Sequence, residues 1–484
     1  MSPPTPISPS FLVARYLRSN NYDQTLEAFI KEAGLPKNAG SATGDESDSW
    51  TIEQTLEEKT TFDKSLRFER AGEDGQEGSE GWTVPAPSNP TILETPSPAN
   101  ILSVSARPLD VLDDVEERTI PARVLATDAS RCVNAFDVTE GCHLVKSIPG
   151  LCEAPIISHA SLLDGKYLLT TCTSGQVTLS KGEKVIERRK DHTKFAVKVI
   201  TYQERGDSKI WVATAGWDSK VCLYTITVPR EGEDPSLGEP VALIRLTTYP
   251  ESIQFVRNKD TGDLILLLSR HDSTMLHYYE VKPPTTSSSV ESQPYECRLL
   301  GRQNLAPGSN AWIAFSPVCL AISPHDPELV AVAATSLPRF MKLLIVRLLF
   351  PINAAIQQQP TSNEPETQAT QARRELAIQN REDAAIVINV NTFAPVSDYS
   401  NPQVVWRPDG SGVWVNADDG VIRGVEAKTG KVITSLANGH EAGNKVRAIW
   451  AGWVDIGDGK REEWVVSGGY DKRLVVWRVK EGDE

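Results

Sequence analysis

The polar side chains that could perform catalysis lack the spacing that common hydrolytic and metal-dependent reactions require. The sequence contains neither the HExxH pattern, which places two zinc ligands and a base on one helix, nor the GxSxG turn, which exposes a nucleophilic serine. It also lacks a pair of carboxylates with a plausible His or Cys partner. Because these patterns are missing, we expect a protein that is not an enzyme and that has no metal site and no cofactor.

One glycine-rich segment is similar in composition to a phosphate-binding loop. Residues 424–432 (GVEAKTGKV) place five residues between the two glycines, whereas a phosphate-binding loop has four, and Val432 stands where Ser or Thr should follow Lys431. The hydroxyl that would bind the magnesium ion of a nucleotide is therefore missing. We interpret this segment as a turn followed by an outer strand.

The charge balance argues against nucleic acid as the primary partner. The chain has 50 basic and 64 acidic residues, a net charge of −14, and binding to phosphates needs clustered Lys and Arg. Residues 45–80 alone contain 12 acidic and 4 basic residues, so much of the excess lies in one short stretch. The primary partners are expected to be other proteins.

Cysteine usage and hydropathy indicate a cytoplasmic and/or nuclear protein. The seven cysteines form no CxxC pair and are odd in number, which is typical of reduced thiols. Neither a secretory signal pattern nor an Asn-x-Ser/Thr site is present. The most apolar stretch, residues 340–350 (FMKLLIVRLLF), is far shorter than the roughly 20 residues of a membrane-spanning helix. It predicts a buried strand, and no membrane partner is expected.

Near the N-terminus, two runs of apolar residues follow helical spacing. In residues 10–34 (SFLVARYLRSNNYDQTLEAFIKEAG) the runs meet near Asn20 and Asn21, and Gly34 is a suitable left-handed stop. Two short helices cannot bury enough apolar area alone and usually need a partner. An unrelated helical hairpin is the alternative to the resemblance given next.

This segment resembles the LisH dimerisation motif, over residues 10–35. The matching positions are Tyr16, Leu17, Tyr22, Thr25, Phe29 and Glu32. Asn21 stands where the family usually has Gly, and Asn tolerates a positive φ better than other side chains. The resemblance implies a homodimer whose contacts come from Leu12, Val13, Tyr16, Leu17, Tyr22, Leu26, Phe29 and Ile30.

The chain around and after this motif has the composition of linkers, with one exception. Residues 1–9 are expected to be disordered, residues 36–49 a linker, and residues 71–99 an acidic and then proline-rich linker. Between them, residues 50–70 carry apolar side chains on one side of a helical projection. That pattern predicts an amphipathic helix, which could lie on the LisH pair or on the domain that follows.

From about residue 100 the pattern changes to short β-branched and aliphatic runs separated by turns. Residues 211–224 (WVATAGWDSKVCLY) and 464–477 (WVVSGGYDKRLVVW) align without gaps, each as a strand, a Gly-aromatic-Asp turn and a second strand. Both segments resemble the WD-repeat β-propeller family. The expected fold class is mainly β, a seven-bladed WD-repeat-like propeller over residues 100–480 preceded by a small all-α LisH module.

The resemblance implies two internal hydrogen-bond tetrads. The first would consist of His192, Thr214, Asp218 and Tyr224, and the second of His440, Ser467, Asp471 and Trp477. In such a tetrad the carboxylate accepts from the imidazole, the imidazole contacts the hydroxyl, and the hydroxyl meets the indole N–H. Tyr224 departs from the pattern, because a phenol places its polar atom at a different reach.

The two tetrads are too far apart in sequence to be adjacent repeats, so further blades must lie between them. The seven expected blades span residues 101–148, 154–190, 195–248, 252–303, 318–391, 402–436 and 444–479. The excess length falls in insertions, of which residues 351–384 are expected to be a disordered loop. Residues 82–95 are the candidate for the strand that closes the ring.

An oligomerising module tethered to a rigid propeller has the layout of a non-enzymatic scaffold or adaptor. Trp217 and Tyr470, each before a tetrad aspartate, are the candidate partner-binding residues. The resemblance implies a role in a larger assembly. The first interpretation is a ubiquitin-ligase assembly, and the other interpretations are corepressor, motor-regulating and RNA-processing complexes. The alternative from a different class is an enzyme or small-molecule binder that uses the central channel.

Overall fold

The computed structural model describes residues 9–39, 82, 84–111, 120–139, 141–204, 206–230, 232–282, 294–307, 315–336, 340–351, 368–457 and 460–479. The chain divides into two compact units after Phe68, and each is considered by itself. The predicted helix over residues 50–70 and residues 1–8 lie outside the described residues.

The described residues of the N-terminal unit, 9–39, form a helical hairpin. Helix α1 (Pro9–Ser19) and helix α2 (Asp23–Glu32) are joined by a short turn. Asn21 in that turn has a φ of 58°, the left-handed conformation that Asn adopts more readily than bulkier residues. Gly34 follows α2 with a φ of 63°, where glycine carries no steric penalty. The sequence pattern thus locates both the turn between the two helices and the end of α2.

The hairpin buries a small core of its own, which changes two expectations. Ala14, Leu26 and Ala39 are buried together. Leu26 is therefore a core residue of the hairpin and has little surface left for a dimer contact. Ala39 belongs to the predicted linker over residues 36–49, yet it packs here because the Arg18 guanidinium donates to its carbonyl oxygen at 3.0 Å.

The described residues of the second unit form seven sheets, each built on four antiparallel strands, which confirms the predicted seven-bladed propeller. Blade 1 contains β2 (Ile101–Pro108), β3 (Ala122–Asp128), β4 (Cys132–Phe136) and β5 (Leu144–Pro149). Blade 2 contains β6 (Ile156–Leu162), β7 (Tyr167–Cys172), β8 (Val177–Lys181) and β9 (Lys184–Arg189). Blade 3 contains β10 (Ala196–Gln203), β11 (Lys209–Gly216), β12 (Lys220–Thr227) and β13 (Ala242–Arg245).

The remaining four blades repeat this order. Blade 4 contains β14 (Pro250–Arg257), β15 (Leu264–Arg270), β16 (Met275–Glu280) and β18 (Leu299–Asn304). Blade 5 contains β19 (Phe315–Ile322), β20 (Leu329–Ser336), β21 (Phe340–Arg347) and β22 (Ile386–Pro395). Blade 6 contains β23 (Val404–Trp406), β24 (Gly412–Val415), β25 (Ile422–Glu426) and β26 (Val432–Leu436). Blade 7 contains β27 (Val446–Gly457), β28 (Lys460–Gly469) and β29 (Leu474–Arg478), completed by β1 (Asn89–Leu93).

The core lies between neighbouring blades. The second strands of blades 2 and 6, β7 and β24, are buried along their whole length because another blade covers each face. This double burial explains why those strands read as continuous apolar runs and not as alternating ones. The apolar stretch over residues 340–350 forms β21, the expected buried strand. None of the helices within the described ranges is long and apolar enough to cross a bilayer.

The ring closes through the N-terminal strand β1, which pairs antiparallel with β29 from Asn89 opposite Arg478 to Leu93 opposite Leu474. The expectation that residues 71–99 form only a linker is therefore wrong for β1. An unpaired β29 would expose a row of backbone N–H and C=O groups, and β1 satisfies them. The candidate closing segment, residues 82–95, contains this strand.

The chain before β1 is held by a fully buried arginine. Arg407 donates to both carboxylate oxygens of Glu463, at 2.9 and 2.6 Å. Its remaining N–H groups donate to Ser411 Oγ at 3.0 Å and to the carbonyls of Val84 and Pro85 at 3.5 and 3.3 Å. The guanidinium also lies 4.3 Å from the ring centre of Trp82. We call Trp82, Val84, Pro85, Arg407 and Glu463 the arm clamp.

The segment that is similar to a phosphate-binding loop is a β-hairpin, as interpreted from its spacing. Gly424 lies in β25, where an added Cβ would come within 2.5 Å of the Trp82 ring. Gly430 occupies the turn before β26 with a φ of 73°. Close packing at Gly424 and the positive φ at Gly430 therefore explain both glycines without a bound phosphate.

Two insertions carry structure of their own. Strand β17 (Tyr295–Glu296), which follows the insertion of blade 4, adds a parallel fifth strand to β13 of blade 3. Residues 368–385 form helix α3 (Gln368–Ala385), so the prediction of a disordered loop over residues 351–384 is wrong for its second half. Its Ala, Gln, Arg and Glu residues are strong helix formers, and Glu382 anchors α3 by accepting the backbone N–H of Asn304 at 2.7 Å.

Candidate protein-interaction site

The tetrad assigned to blade 7 forms a continuous chain of hydrogen bonds. The Trp477 indole N–H donates to Ser467 Oγ at 2.9 Å, and Ser467 Oγ lies 2.8 Å from His440 Nε2. His440 Nδ1 lies 3.0 Å from an Asp471 carboxylate oxygen. With the proton on Nδ1, every member donates to the next, and the buried network joins the strands of the blade to its turn.

The tetrad assigned to blade 3 is complete only in part. His192 Nδ1 lies 3.0 Å from Asp218, and His192 Nε2 lies 2.9 Å from Thr214 Oγ1. The hydroxyl of Tyr224 instead donates to Asp191 Oδ2 at 2.9 Å. The phenol extends past the position of an indole nitrogen, so it reaches the residue before the histidine.

The glycine of each Gly-aromatic-Asp turn is required by close packing. An added Cβ at Gly216 would lie 2.3 Å from His192 Nδ1 and 2.5 Å from Asp218 Oδ1. At Gly469 it would lie 2.4 Å from Asp471 Oδ1. Real Cβ atoms do not approach so closely, and this turn therefore accepts only glycine in front of the aromatic residue.

Removing the carboxylate in Asp471→Ala is expected to lower the free energy of unfolding by about 1–3 kcal/mol, because His440 loses its buried acceptor. The matched control is Asp260→Ala, an exposed aspartate in another turn, which should change stability by less than about 0.5 kcal/mol. Urea unfolding measures both. Equal losses would contradict a structural role for the tetrad.

The Asp471 effect should also depend on pH. Burial raises the pKa of Asp471, but hydrogen bonds from His440 and from the backbone N–H groups of Glu441 and Arg473 outweigh burial and hold the pKa below its ordinary value of 3.8. A lowered pKa stabilises the folded state above the unfolded-state pKa. The stability difference between wild type and Asp471→Ala should therefore shrink as the pH falls below about 4.

Four aromatic side chains form a continuous row at the mouth of the central channel. The ring centres of Phe195 and Trp217 are 5.1 Å apart, those of Trp217 and Tyr249 are 5.5 Å apart, and those of Tyr249 and His271 are 4.5 Å apart. Phe195 is 41% exposed and Trp217 is 43% exposed. We call these four residues the aromatic row.

The row arises from the same two positions in two successive blades. Phe195 and Tyr249 directly precede the first strands of blades 3 and 4, and Trp217 and His271 directly follow the second strands. Trp217 N–H donates to the Phe195 carbonyl at 2.9 Å, and His271 N–H donates to the Tyr249 carbonyl at 3.0 Å. The backbone of each blade therefore fixes its aromatic pair.

Tyr399, which borders the same cavity as the aromatic row, is 93% exposed and has a φ of 65°. Its loop is held on both sides. Asp418 accepts the backbone N–H of Ser397 at 2.8 Å, and Lys445 Nζ donates to the Asp398 carbonyl at 2.6 Å. An aromatic residue in this rarely populated conformation persists because surrounding contacts enforce it, and such conformations cluster at binding sites.

The aromatic row and Tyr399 border a cavity of 880 Å³ at the channel. Its wall includes first-strand residues from blades 1 to 5 and blade 7, together with Tyr470 and Arg447. Tyr470 is partly buried, and its hydroxyl accepts a hydrogen bond from Arg447 at 3.1 Å. Of the two candidate partner-binding residues, Trp217 is the more available, although both border the same cavity.

One carboxylate lies beneath the aromatic row. Glu251 Oε1 lies 2.9 Å from His271 Nδ1, which can donate to it. Burial raises the pKa of Glu251, and the hydrogen bond from His271 opposes this effect. Lys198 and Arg447 also line the cavity, so its wall carries both signs of charge. Such a surface can hold a polypeptide through apolar contact and scattered polar contacts.

Sequence reasoning missed Phe195, Tyr249, His271 and Tyr399 as members of the site. The sequence did contain a signal, since in both blades 3 and 4 an aromatic residue directly precedes the first strand and an aromatic ring directly follows the second strand. No group of three or more His, Cys, Asp or Glu side chains able to hold a metal occurs within the described ranges.

Two family models match the chain. One describes the UCP007778 beta-propeller domain and matches residues 136–478, and the other describes the UCP007778 LisH domain and matches residues 10–37. The chain belongs to the UCP007778 family. The UCP007778 LisH match covers both helices of the hairpin, and the propeller match runs from the end of β4 to the end of β29. A comparison with curated proteins finds no match.

Proposed function

We propose that this UCP007778 protein is a non-enzymatic scaffold that binds a protein partner at the channel mouth and dimerises through its LisH hairpin. LisH and propeller domains both fit protein interaction. The observation that carries the partner site is the aromatic row, which borders the same cavity as Tyr399. Rigid, partly exposed aromatic side chains are the type that dominates binding hot spots.

The dimer proposal rests on the surface of the hairpin. Leu17, Phe29 and Ile30 are only partly buried against its small core, and Tyr22 is 51% exposed. Val13 and Tyr16 are likewise half-buried, and Leu12 lies in α1. A hairpin of this size buries too little apolar surface to be stable alone, and a second copy would cover the remainder.

For the assembly that uses this scaffold, we propose the candidates named by the sequence resemblance, in the same order. A cytoplasmic or nuclear ubiquitin-ligase assembly comes first, with corepressor, motor-regulating and RNA-processing complexes as alternatives. A dimer would present two channel mouths to one assembly, which raises the effective concentration of a second binding event. The rival function from a different class is an enzyme or a small-molecule binder that uses the central channel.

The partner site is tested by affinity purification with quantitative mass spectrometry. We expect Trp217→Ala and Tyr399→Ala to lose the partner, since truncating a hot-spot residue costs at least about 2 kcal/mol, roughly 30-fold in affinity. The matched control is Trp453→Ala, since Trp453 is 41% exposed but lies outside the cavity wall. Partner sets that stay unchanged in all three variants would contradict the proposal.

A further inference from the structure

The charged side chains on the wall of the 880 Å³ cavity at the channel mouth are unequally paired. The wall carries two carboxylates, Glu251 and Asp398, and two cations, Lys198 and Arg447. Glu251 lies 2.9 Å from His271 Nδ1, and only 16% of its side chain is exposed. Asp398 is likewise engaged by neighbouring groups of the protein. Both negative charges therefore have partners before any ligand arrives.

The two cations lack such compensation. No carboxylate within the described ranges lies at ion-pair distance from Lys198 or Arg447. Arg447 donates one N–H to the Tyr470 hydroxyl at 3.1 Å, but its Nε is buried without a hydrogen-bond partner. Lys198 is half-buried and makes no hydrogen bond to the described residues. Buried donors without acceptors cost free energy, which favours an anionic acceptor close to these groups.

The two cations border the mouth from different sides. Lys198 is the third residue of β10 and Arg447 the second residue of β27, the first strands of blades 3 and 7. Two blades separate blade 3 from blade 7 in one direction round the ring, and three in the other. Phe195 directly precedes β10, so the aromatic row begins next to Lys198. A ligand that meets both cations must cross the mouth.

The aromatic row adds apolar surface and another donor beside Lys198. Phe195 and Trp217 are both exposed, and their rings stack at 5.1 Å. The Trp217 indole N–H makes no hydrogen bond to the part of the chain that the structure describes. It can donate to a carbonyl or carboxylate oxygen of a ligand. The mouth therefore combines apolar faces with unpaired donors, while its two carboxylates are already engaged.

The size of the cavity suits a stretch of polypeptide better than a small anion. Pockets of about 300–1,000 Å³ hold whole drug-sized molecules, and this cavity of 880 Å³ falls within that range. A lone carboxylate would fill only a small part of it. An extended chain that crosses the mouth can instead place an apolar side chain on the aromatic row and one carboxylate near each cation.

Single-stranded nucleic acid is the competing ligand, because it also binds aromatic faces next to cations. The charge count favours a peptide. A nucleic acid brings a phosphate with every nucleotide, whereas the cavity wall has two cations and also carries Glu251 and Asp398. The net charge of −14 for the whole chain opposes a polyanion further. A peptide can space its carboxylates so that they avoid Glu251 and Asp398.

We propose that the segment bound at the channel mouth is an acidic peptide of a protein partner, with an apolar side chain on the aromatic row and carboxylates paired with Lys198 and Arg447. This inference rests on the proposed function, since it names the chemistry of the partner at the same site. Charge-assisted hydrogen bonds to the guanidinium would be shorter and stronger than neutral ones. Attraction between opposite charges also speeds association, so the affinity should fall as the salt concentration rises.

The test selects peptides from a random displayed library on the immobilised full-length protein, in parallel with the Trp217→Ala variant. Peptides that are enriched on wild type and lost on Trp217→Ala report the channel mouth. We expect these peptides to be acidic and to contain an aromatic or aliphatic residue. Fluorescence anisotropy with the selected peptides then measures their affinities for further variants.

Charge reversal at the cavity gives the sharpest comparison. Lys198→Glu should weaken the selected peptides at least about tenfold, because it places like charges together. Lys198→Met keeps the aliphatic stem without the charge, so it guards against misfolding and should weaken them by a smaller factor. The matched control is Lys209→Glu, the same charge change at an exposed position at the other end of blade 3, which should leave the affinity unchanged.

The outcomes separate this inference from the proposed function. Mouth-specific peptides that are neutral or basic, or acidic peptides that bind Lys198→Glu as tightly as wild type, would overturn the inference and leave the proposed function standing. Tighter binding of a short single-stranded oligouridine probe than of any selected peptide would overturn it in favour of nucleic acid. If no enriched peptide is lost on Trp217→Ala, the proposed partner site is itself wrong, and the inference falls with it.

Discussion

Glu463→Ala should lower the free energy of unfolding by about 3–5 kcal/mol, one of the largest losses available to a single substitution in this chain. Its partner Arg407 is fully buried and would keep its charge with Asp409 at 3.5 Å, Ser411 Oγ at 3.0 Å and the weak carbonyl contacts to Val84 and Pro85 as its remaining partners. A guanidinium in the protein interior that loses its two shortest ionic hydrogen bonds is costly because water no longer solvates it. Urea unfolding measures the loss.

The ion pair should nevertheless contribute little net stability over an apolar replacement. Burial raises the pKa of Glu463, and the Arg407 guanidinium opposes but does not outweigh it. The double variant Arg407→Met, Glu463→Leu should therefore recover much of the loss seen in Glu463→Ala, since apolar pairs of similar volume can replace buried ion pairs. A double variant less stable than Glu463→Ala would contradict this account.

An exposed ion pair supplies the matched control. Arg245 and Glu296 lie 3.9 Å apart with about two-thirds of each side chain exposed. Glu296→Ala should change stability by less than about 1 kcal/mol, because water screens such pairs. If both glutamate variants lose the same free energy, the arm clamp has no special role.

Phe29→Asp should convert a LisH dimer to a monomer. Phe29 is partly buried against the hairpin core and is one of the apolar side chains that a second copy would cover. Burying one such side chain contributes about 1.5–3 kcal/mol, and a carboxylate cannot enter an apolar interface unpaired. Light scattering on the intact protein at tens of micromolar measures the mass.

Two further variants separate loss of the interface from loss of the hairpin. Gln24→Asp places the same charge at an exposed position of α2 and should leave the dimer intact. Tyr22→Asp alters a side chain that is 51% exposed, so it should weaken the dimer without emptying the hairpin core. An intact protein that is monomeric in wild type, or a dimer that Phe29→Asp leaves unchanged, would contradict the dimer proposal.

A propeller fragment for comparison should begin at residue 82 and not at the first blade strand. A fragment from Ile101 lacks β1 and Trp82, so β29 would lose its pairing partner and Arg407 its aromatic contact. The longer fragment retains both and should be monomeric. Any association of the shorter fragment would reflect its open edge and would say nothing about LisH.

Local patterns in the sequence predicted much of this fold. The Gly-aromatic-Asp turns located the tetrads, and Asn21 and Gly34 marked the ends of the helices, because each depends on a few neighbouring residues. Pattern reasoning failed where the deciding contact is distant. Tyr224 meets Asp191, and Ala39 meets Arg18, through pairings that no local spacing reveals.

The aromatic row shows the same limit for the site. Trp217 could be selected because it precedes a tetrad aspartate. Tyr249 and His271 became neighbours of Trp217 only when blades 3 and 4 packed side by side. The prediction of a disordered loop at helix α3 failed for another reason. The polar sequence of α3 lacks an apolar face, but its intrinsic helix propensity and the Glu382 contact are enough to form the helix.

The pairing of β1 with β29 also sets an order of events during synthesis. Strand β1 leaves the ribosome before every other strand of the propeller, and β29 emerges after all of them. Strand β1 must therefore wait, unpaired, until the other propeller strands have been made, and closing so long a loop is a slow step. The hairpins of the intervening blades can form meanwhile from local contacts. A nascent chain stalled before β29 would expose both an unpaired strand and an unfinished ring, which are the features that chaperones and neighbouring chains engage.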